Sequence, residues 1–172
     1  IEGHMLHEDH LGNRGNLRNG GVQWMTAGRG IVHSEMPQQE SGVMRGFQLW
    51  LNLPAAEKMK PAGYRDIQPE DIPVFNQPGA SVKLIAGEMN VSGVQVSGAL
   101  TGGTTEPLYA DIHLEPHAQI LLAAGPSGAR LLLIAGRPIG EPIVQYGPFV
   151  MNTREEIEQA LRDYQTGRLT AA

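Results

Sequence analysis

The sequence predicts an all-β fold closed by one C-terminal helix, and three observations carry that prediction. Glycine and proline are abundant, 22 and 12 of 172 residues, which favours frequent turns and short elements. Apolar residues recur mostly with a period of two, as in GFQLWLNLP from Gly46 to Pro54, the spacing of a half-buried strand. Only the last stretch, from Thr153 onward, has convincing helical spacing. Together these predict two strand-rich halves joined by an arm, with a helix at the end.

Composition removes several function classes. A net charge of −5 with no Lys/Arg cluster speaks against direct nucleic-acid binding, which needs a basic face. Zero cysteines exclude disulfides, thiolate metal sites and cysteine nucleophiles, and fit a reducing compartment. No apolar run reaches the length of a membrane span and no signal-peptide pattern is visible. The expectation is a cytoplasmic protein.

The elements follow in order. IEG before MLHED (Met5 to Asp9) reads as strand, turn and strand, although IEGHM also resembles a cloning scar. LGNRGNLRNGG, Leu11 to Gly21, reads as turns. VQWMTAG from Val22 is a strand running into Gly28 and Gly30, where the backbone can bend sharply and approach a neighbour closely. The alternation of Phe47, Leu49, Leu51 and Leu53 predicts a strand ended by Pro54. Ala55 to Pro78 is polar and dotted with proline, and reads as a connecting arm. Further strands are SVKLIAG (Ser81 to Gly87), GVQVSG (Gly93 to Gly98) and LYADIHLEP, in which Ala110, Ile112 and Leu114 share one face. RLLLIAG, Arg130 to Gly136, reads as a buried strand. Thr153 and Glu156 form a capping box, and Ile157, Ala160, Leu161 and Tyr164 an apolar stripe. Glu158 and Arg162 are placed for an ion pair, and Gly167 for a stop.

GRGIVHSEMP carries the chemistry. In a strand His33 and Glu35 point the same way, with Cα atoms roughly 6.5–7 Å apart. A converging imidazole and carboxylate suit iron, copper, nickel or zinc, although His-x-Glu is also a common surface pair. His4, His7 and His10 recur at intervals of three, which would share a face in a helix; in strand and turn the interval separates them, so all three are expected to be solvated non-ligands. His113 and His117 are separated by Pro116 and read as surface histidines. Glu8 and Asp9 read as solvated charges, and Met25, Met36 and Met44 as core filler. No serine lies in a nucleophile elbow, and no phosphate-cradling glycine loop precedes a helix.

VQWMTAGRGIVHSEMP resembles the signature of the pirin family of the cupin superfamily. The similarity continues through GFQLWLNLPAAEKM and YRDIQPEDIP and returns in GEPIVQYGPFVMNTREEIEQA. The resemblance implies two tandem double-stranded β-helix (cupin) barrels. Residues 1–54 would be part of the first barrel, 55–80 an arm, 81–150 a second and incomplete barrel, and 151–172 the helix. It implies a mononuclear centre, Fe(II) first with nickel, copper, manganese or zinc as alternatives, in which His33 and Glu35 are ligands. The family's other two histidines form a His-x-His pair upstream of the segment matching IEGHMLHEDH. Nothing precedes Ile1 in this sequence, so the expectation is that this pair is absent and the metal weakly held. LEPHAQI also runs almost directly into LLAAGPSGARLLLIAG, where the family has several more strands.

The function implied is quercetin 2,3-dioxygenase-like oxidation of a flavonol-like aromatic by O₂, with Glu35 accepting the hydroxyl proton and His33 holding the metal. The alternative is a metal-containing regulatory protein acting through a protein partner without turnover. A third reading is a metal-free cupin of structural value.

Overall fold

The computed structural model describes residues 1–117, 129–135 and 138–170. In chain order it runs β1 (Met5–Asp9), β2 (Arg14–Leu17), β3 (Val22–Thr26), β4 (His33–Pro37), α1 (Ala55–Lys58) and β5 (Gly63–Ile67). A 3-10 turn at Pro69–Asp71 leads into β6 (Val74–Gln77), β7 (Ala80–Ala86), β8 (Glu88–Val91), β9 (Val94–Ser97), β10 (Leu108–Leu114) and β11 (Ala129–Ala135). β12 (Val144–Tyr146), β13 (Phe149–Met151) and α2 (Arg154–Gln165) follow. Strands dominate and the long helix is C-terminal, as the sequence predicts. Among the described residues no helix is long and apolar enough to cross a membrane. Two compact units result: Ile1–Gln68 with Ile139–Ala172, and Pro69–Pro138.

In the second unit an antiparallel sheet is ordered β11-β10-β7-β6, with β8 and β9 forming a hairpin. The period-two pattern of LYADIHL is realised in β10, where Ala110, Ile112 and Leu114 turn inward against Val82, Leu84 and Val96. Leu84 and Leu114 are fully buried, each stabilising the unit by about 1.5–3 kcal/mol. His113 faces out, as expected of a surface histidine. The junction at which LEPHAQI runs into LLAAGPSGAR, where the family has further strands, falls largely on residues 118–128, which lie outside the described residues.

In the first unit β1 is the central strand of a sheet ordered β2-β1-β4, and β3 pairs with β5. The turn after β3 uses its glycines as expected. Gly28 has φ +57°, and a Cβ there would lie 2.1 Å from the Lys60 carbonyl oxygen, so only glycine lets the two backbones approach. The stretch read as turns, Leu11 to Gly21, contains β2. The stretch expected as an arm contains β5 and β6, whose residues find strand partners in β3 and β7.

GFQLWLNLP departs from its pattern. Gly46 to Pro54 forms no strand, and Phe47 and Trp50 are 65% and 59% exposed. Period two specifies which face a strand presents only when a neighbouring strand satisfies its backbone; among the described residues none pairs with this segment.

The C-terminal helix follows the sequence closely. Glu156 N–H donates to Thr153 Oγ1, and the Glu156 carboxylate accepts from the Thr153 N–H, completing the capping box. Ile157 is buried and Tyr164 packs edge-on to Phe149. Glu158 and Arg162 approach to 3.8 Å. Beside it, Lys58 is buried and donates to Asn52 Oδ1 and the Val150 carbonyl. Burial lowers its pKa, while Glu141 and Glu156 pull it back up.

Candidate metal centre

The site forms where β1 and β4 pair. Their antiparallel register sets His7 opposite Glu35 and Asp9 opposite His33. Since strand side chains alternate, all four residues lie on one face of the sheet. One ligand atom from each of His7, His33 and Glu35 falls within 4.8 Å of the others. His33 Nδ1 lies 3.8 Å from Glu35 Oε1, with side chains 27% and 31% exposed. His7 is 1% exposed, and its ring is 5.4 Å from that of His33. The cluster has a buried back and an accessible front.

The back is built from small and polar residues. Gly15 is the β2 partner of His7, and a Cβ on it would meet Tyr64 Oη at 2.0 Å and Asp66 Oδ2 at 2.7 Å. The missing side chain is what admits the Tyr64 ring, which stacks on the His7 imidazole at 4.2 Å and 7°. Tyr64 and Asp66 share a face of β5, and Gln23 on β3 lies opposite Asp66. Tyr64 Oη, Asp66 Oδ1 and both Gln23 amide atoms are buried without a hydrogen-bond partner among the described residues.

Asp9 is held differently. Its Oδ1 accepts from the N–H groups of Leu11 and Asn13, and its Oδ2 from Asn13 Nδ2. Burial raises its pKa, but the hydrogen bonds from Asn13, His7 and Leu11 outweigh it, so the net shift is downward. Asp66 moves up, mainly through burial, with Asn16, His7 and Gln68 opposing. The Tyr64 phenol also moves up, through burial first and then the carboxylates of Asp66, Asp9 and Glu35.

His33 and Glu35 converge as strand spacing predicts. His7 and Asp9 correct the sequence reading: both side chains are buried, because β1 is an interior strand whose inward face is covered by Tyr64. One readable signal pointed to His7: MLHED and HSEMP each carry two titratable residues at period two, as two paired strands lining one site would. His4 is half-buried against Asn16 Oδ1 at 2.8 Å, and His10 is exposed. Met36 and Met44 are exposed rather than core filler: Met36 lies on β4, which is a sheet edge, and Met44 lies outside the named strands, just before the isolated bridge of Arg45 with Glu2.

Residues 70–170 match the pirin C-terminal cupin domain, and residues 1–51 match pirin itself. The chain belongs to the pirin family. A Pseudomonas aeruginosa protein provisionally named quercetin 2,3-dioxygenase is 48% identical to this pirin-family chain over 212 aligned positions, covering 98% of the chain and 74% of that protein. Those positions outnumber the 172 residues here, so the alignment includes positions of that relative with no counterpart in this chain. A pirin-like protein of Caulobacter vibrioides is 40% identical, with 98% of this chain and 74% of that one covered. The crystal structure of a quercetin 2,3-dioxygenase from Acinetobacter baumannii superposes with a TM-score of 0.79 at 28% identity, over 98% of this chain and 73% of that one. The fold is that of the cupins.

Proposed function

We propose that this pirin-family chain is a metal-dependent oxidoreductase of the quercetin 2,3-dioxygenase type, acting on a flavonol-like aromatic and O₂. A cytoplasmic setting fits its cysteine-free composition. The observation carrying the reading is the convergence of His7, His33 and Glu35. Two imidazoles and a carboxylate are the donor set of non-haem iron(II) oxygenases, so Fe(II) is the first choice, ahead of nickel, copper, manganese or zinc. Bonds of about 2 Å put ligand atoms on one ion at most about 4 Å apart. The 4.8 Å spread therefore requires a small inward adjustment, which the half-exposed His33 and Glu35 side chains have room to make.

When bound, such a metal supplies polarisation of the substrate's oxygens and electron exchange with O₂. His7 forms the fixed, water-excluded wall of the site, held between its neighbours on β2 and β4. Glu35, reachable from solvent, accepts the proton of the flavonol hydroxyl as substrate enters. His33 lines the same open side and orients the substrate beside Glu35.

The test is oxygen uptake and loss of flavonol absorbance when the Fe(II)-loaded chain meets quercetin. Turnover that disappears in Glu35→Gln supports the reading. Tight metal binding with no oxygen uptake overturns it, and a stable complex with a protein partner under those conditions supports the regulatory alternative.

A further inference from the structure

We propose that the groove beyond the Met5–Pro37 end of the β1–β4 pair is a binding site for a small organic acid, held by its carboxylate. The inference does not depend on the metal reading, and the groove shares no residue with the candidate metal centre.

Three segments form the groove: Glu2 to His4 before β1, Arg18 and Asn19 after β2, and Gln39 with Ser41 to Val43 after β4. Its volume of about 510 Å³ falls in the roughly 300–1,000 Å³ range of small-molecule sites. The loop after β4 is anchored at both ends. Gln38 N–H donates to the His4 carbonyl, and Glu2 and Arg45 exchange backbone hydrogen bonds. Gly3, at φ +122°, lets that loop close: a Cβ there would lie 3.0 Å from Gln39 Oε1 and 3.2 Å from Met44 Cα.

The floor of the groove sets what its walls present. Gly3 N–H donates to Asn19 Oδ1 at 2.7 Å, and His4 N–H donates to Gln39 Oε1 at 2.9 Å. A backbone N–H only donates, so each amide must turn its oxygen to the floor, which leaves both NH₂ groups without an acceptor. The Arg18 guanidinium and the Ser41 hydroxyl also have no partner among the described residues. Glu2 supplies the only carboxylate among the described lining residues, and Arg45 Nη2 holds it at 3.2 Å. Glu40, on the same loop, is exposed and does not line the groove. The result is a set of donors around one uncompensated positive charge, in a chain whose net charge is −5. An anion supplies what these groups lack, and a planar guanidinium matches a carboxylate through two parallel hydrogen bonds. Val43, 61% exposed, adds an apolar wall for the body of the acid, which a bare inorganic ion would not use.

The experiment is ¹H–¹⁵N NMR titration of the intact chain with benzoate, inorganic phosphate and chloride in turn, at matched ionic strength. Benzoate at millimolar concentration is expected to give saturable shifts at the Gly3 and His4 N–H groups and at the Asn19 and Gln39 side-chain NH₂ groups. Arg18 is exposed, so Arg18→Gln leaves the fold intact. It is expected to weaken benzoate binding about tenfold, the loss of one charge-assisted hydrogen bond. Shifts that never saturate, or that chloride reproduces, overturn the proposal without any variant. Phosphate binding as tightly as benzoate overturns the assignment to an organic acid, and unchanged affinity in Arg18→Gln overturns the role given to the guanidinium. The readout is the same whether or not the chain takes up iron, so it stands apart from the proposed oxidoreductase.

Discussion

Gly15→Ala probes the packing behind the candidate site most sharply. The added methyl would lie 2.0 Å from Tyr64 Oη, 2.7 Å from Asp66 Oδ2 and 3.0 Å from Tyr64 Cζ, against roughly 3.5–4.0 Å for comfortable carbon contacts. Tyr64 cannot retreat freely, since its ring is stacked on His7. Overpacking of this kind costs about 1–3 kcal/mol. Gly15 does not occupy positive φ, so alanine returns about 0.4–1 kcal/mol by stiffening the unfolded chain. The net loss is about 1–2 kcal/mol. Tyr64→Phe removes the closest atom and also a buried hydroxyl without a hydrogen-bond partner among the described residues. Alone it is neutral, or stabilising by up to about 1 kcal/mol. In the double variant the worst contact is gone, so the two changes couple favourably by about 1 kcal/mol. Urea unfolding followed by the fluorescence of Trp24 and Trp50 measures all four corners of the cycle. A Gly15→Ala variant as stable as wild type, or strict additivity with Tyr64→Phe, refutes the claim that Gly15 is there to admit the tyrosine.

Other expectations follow from the same geometry. His33→Ala is expected to weaken Zn²⁺ binding by more than the roughly 10–100-fold typical of an outer partner, read by calorimetry on the folded variant. Asp66 has its pKa raised by burial, so the fold carries a penalty whenever this group is ionised. Asp66→Asn should therefore raise the melting temperature at neutral pH. The gain should shrink as pH falls through the raised value and vanish below the ordinary 3.8, where aspartate is neutral in both states; melts across pH check the sign. Thr153→Ala removes the oxygen that accepts from the Glu156 N–H and should cost about 1 kcal/mol, seen as a melting point about 2–4 °C lower.

Where local chemistry decides structure, the sequence was readable. Thr153 and Glu156 mark the helix start because the cap is made from those two residues alone. Ala110, Ile112 and Leu114 alternate in a strand flanked on both sides, so the pattern and the burial agree. His33 and Glu35 converge because strand geometry sets their direction without help from elsewhere. His7 and Asp9 are different. Nothing in MLHED says that this strand is interior or that Tyr64, far along the chain, covers it; burial there depends on the β1–β4 register and on a glycine opposite. Phe47 to Leu53 shows the converse, a perfect alternation with no strand partner among the described residues. GYRDI was hidden in the expected arm because its polar residues face a buried polar cluster, an arrangement that hydropathy alone cannot signal.

The central claim is that three side chains of this chain form one metal site, and stoichiometric uptake tests it most directly. Anaerobic Fe(II) titration, with bound metal determined by elemental analysis after desalting, should give one equivalent per chain. That equivalent should be lost from folded Glu35→Gln and from folded His7→Ala. No retained metal, or retention unchanged when His7 is removed, would contradict the account.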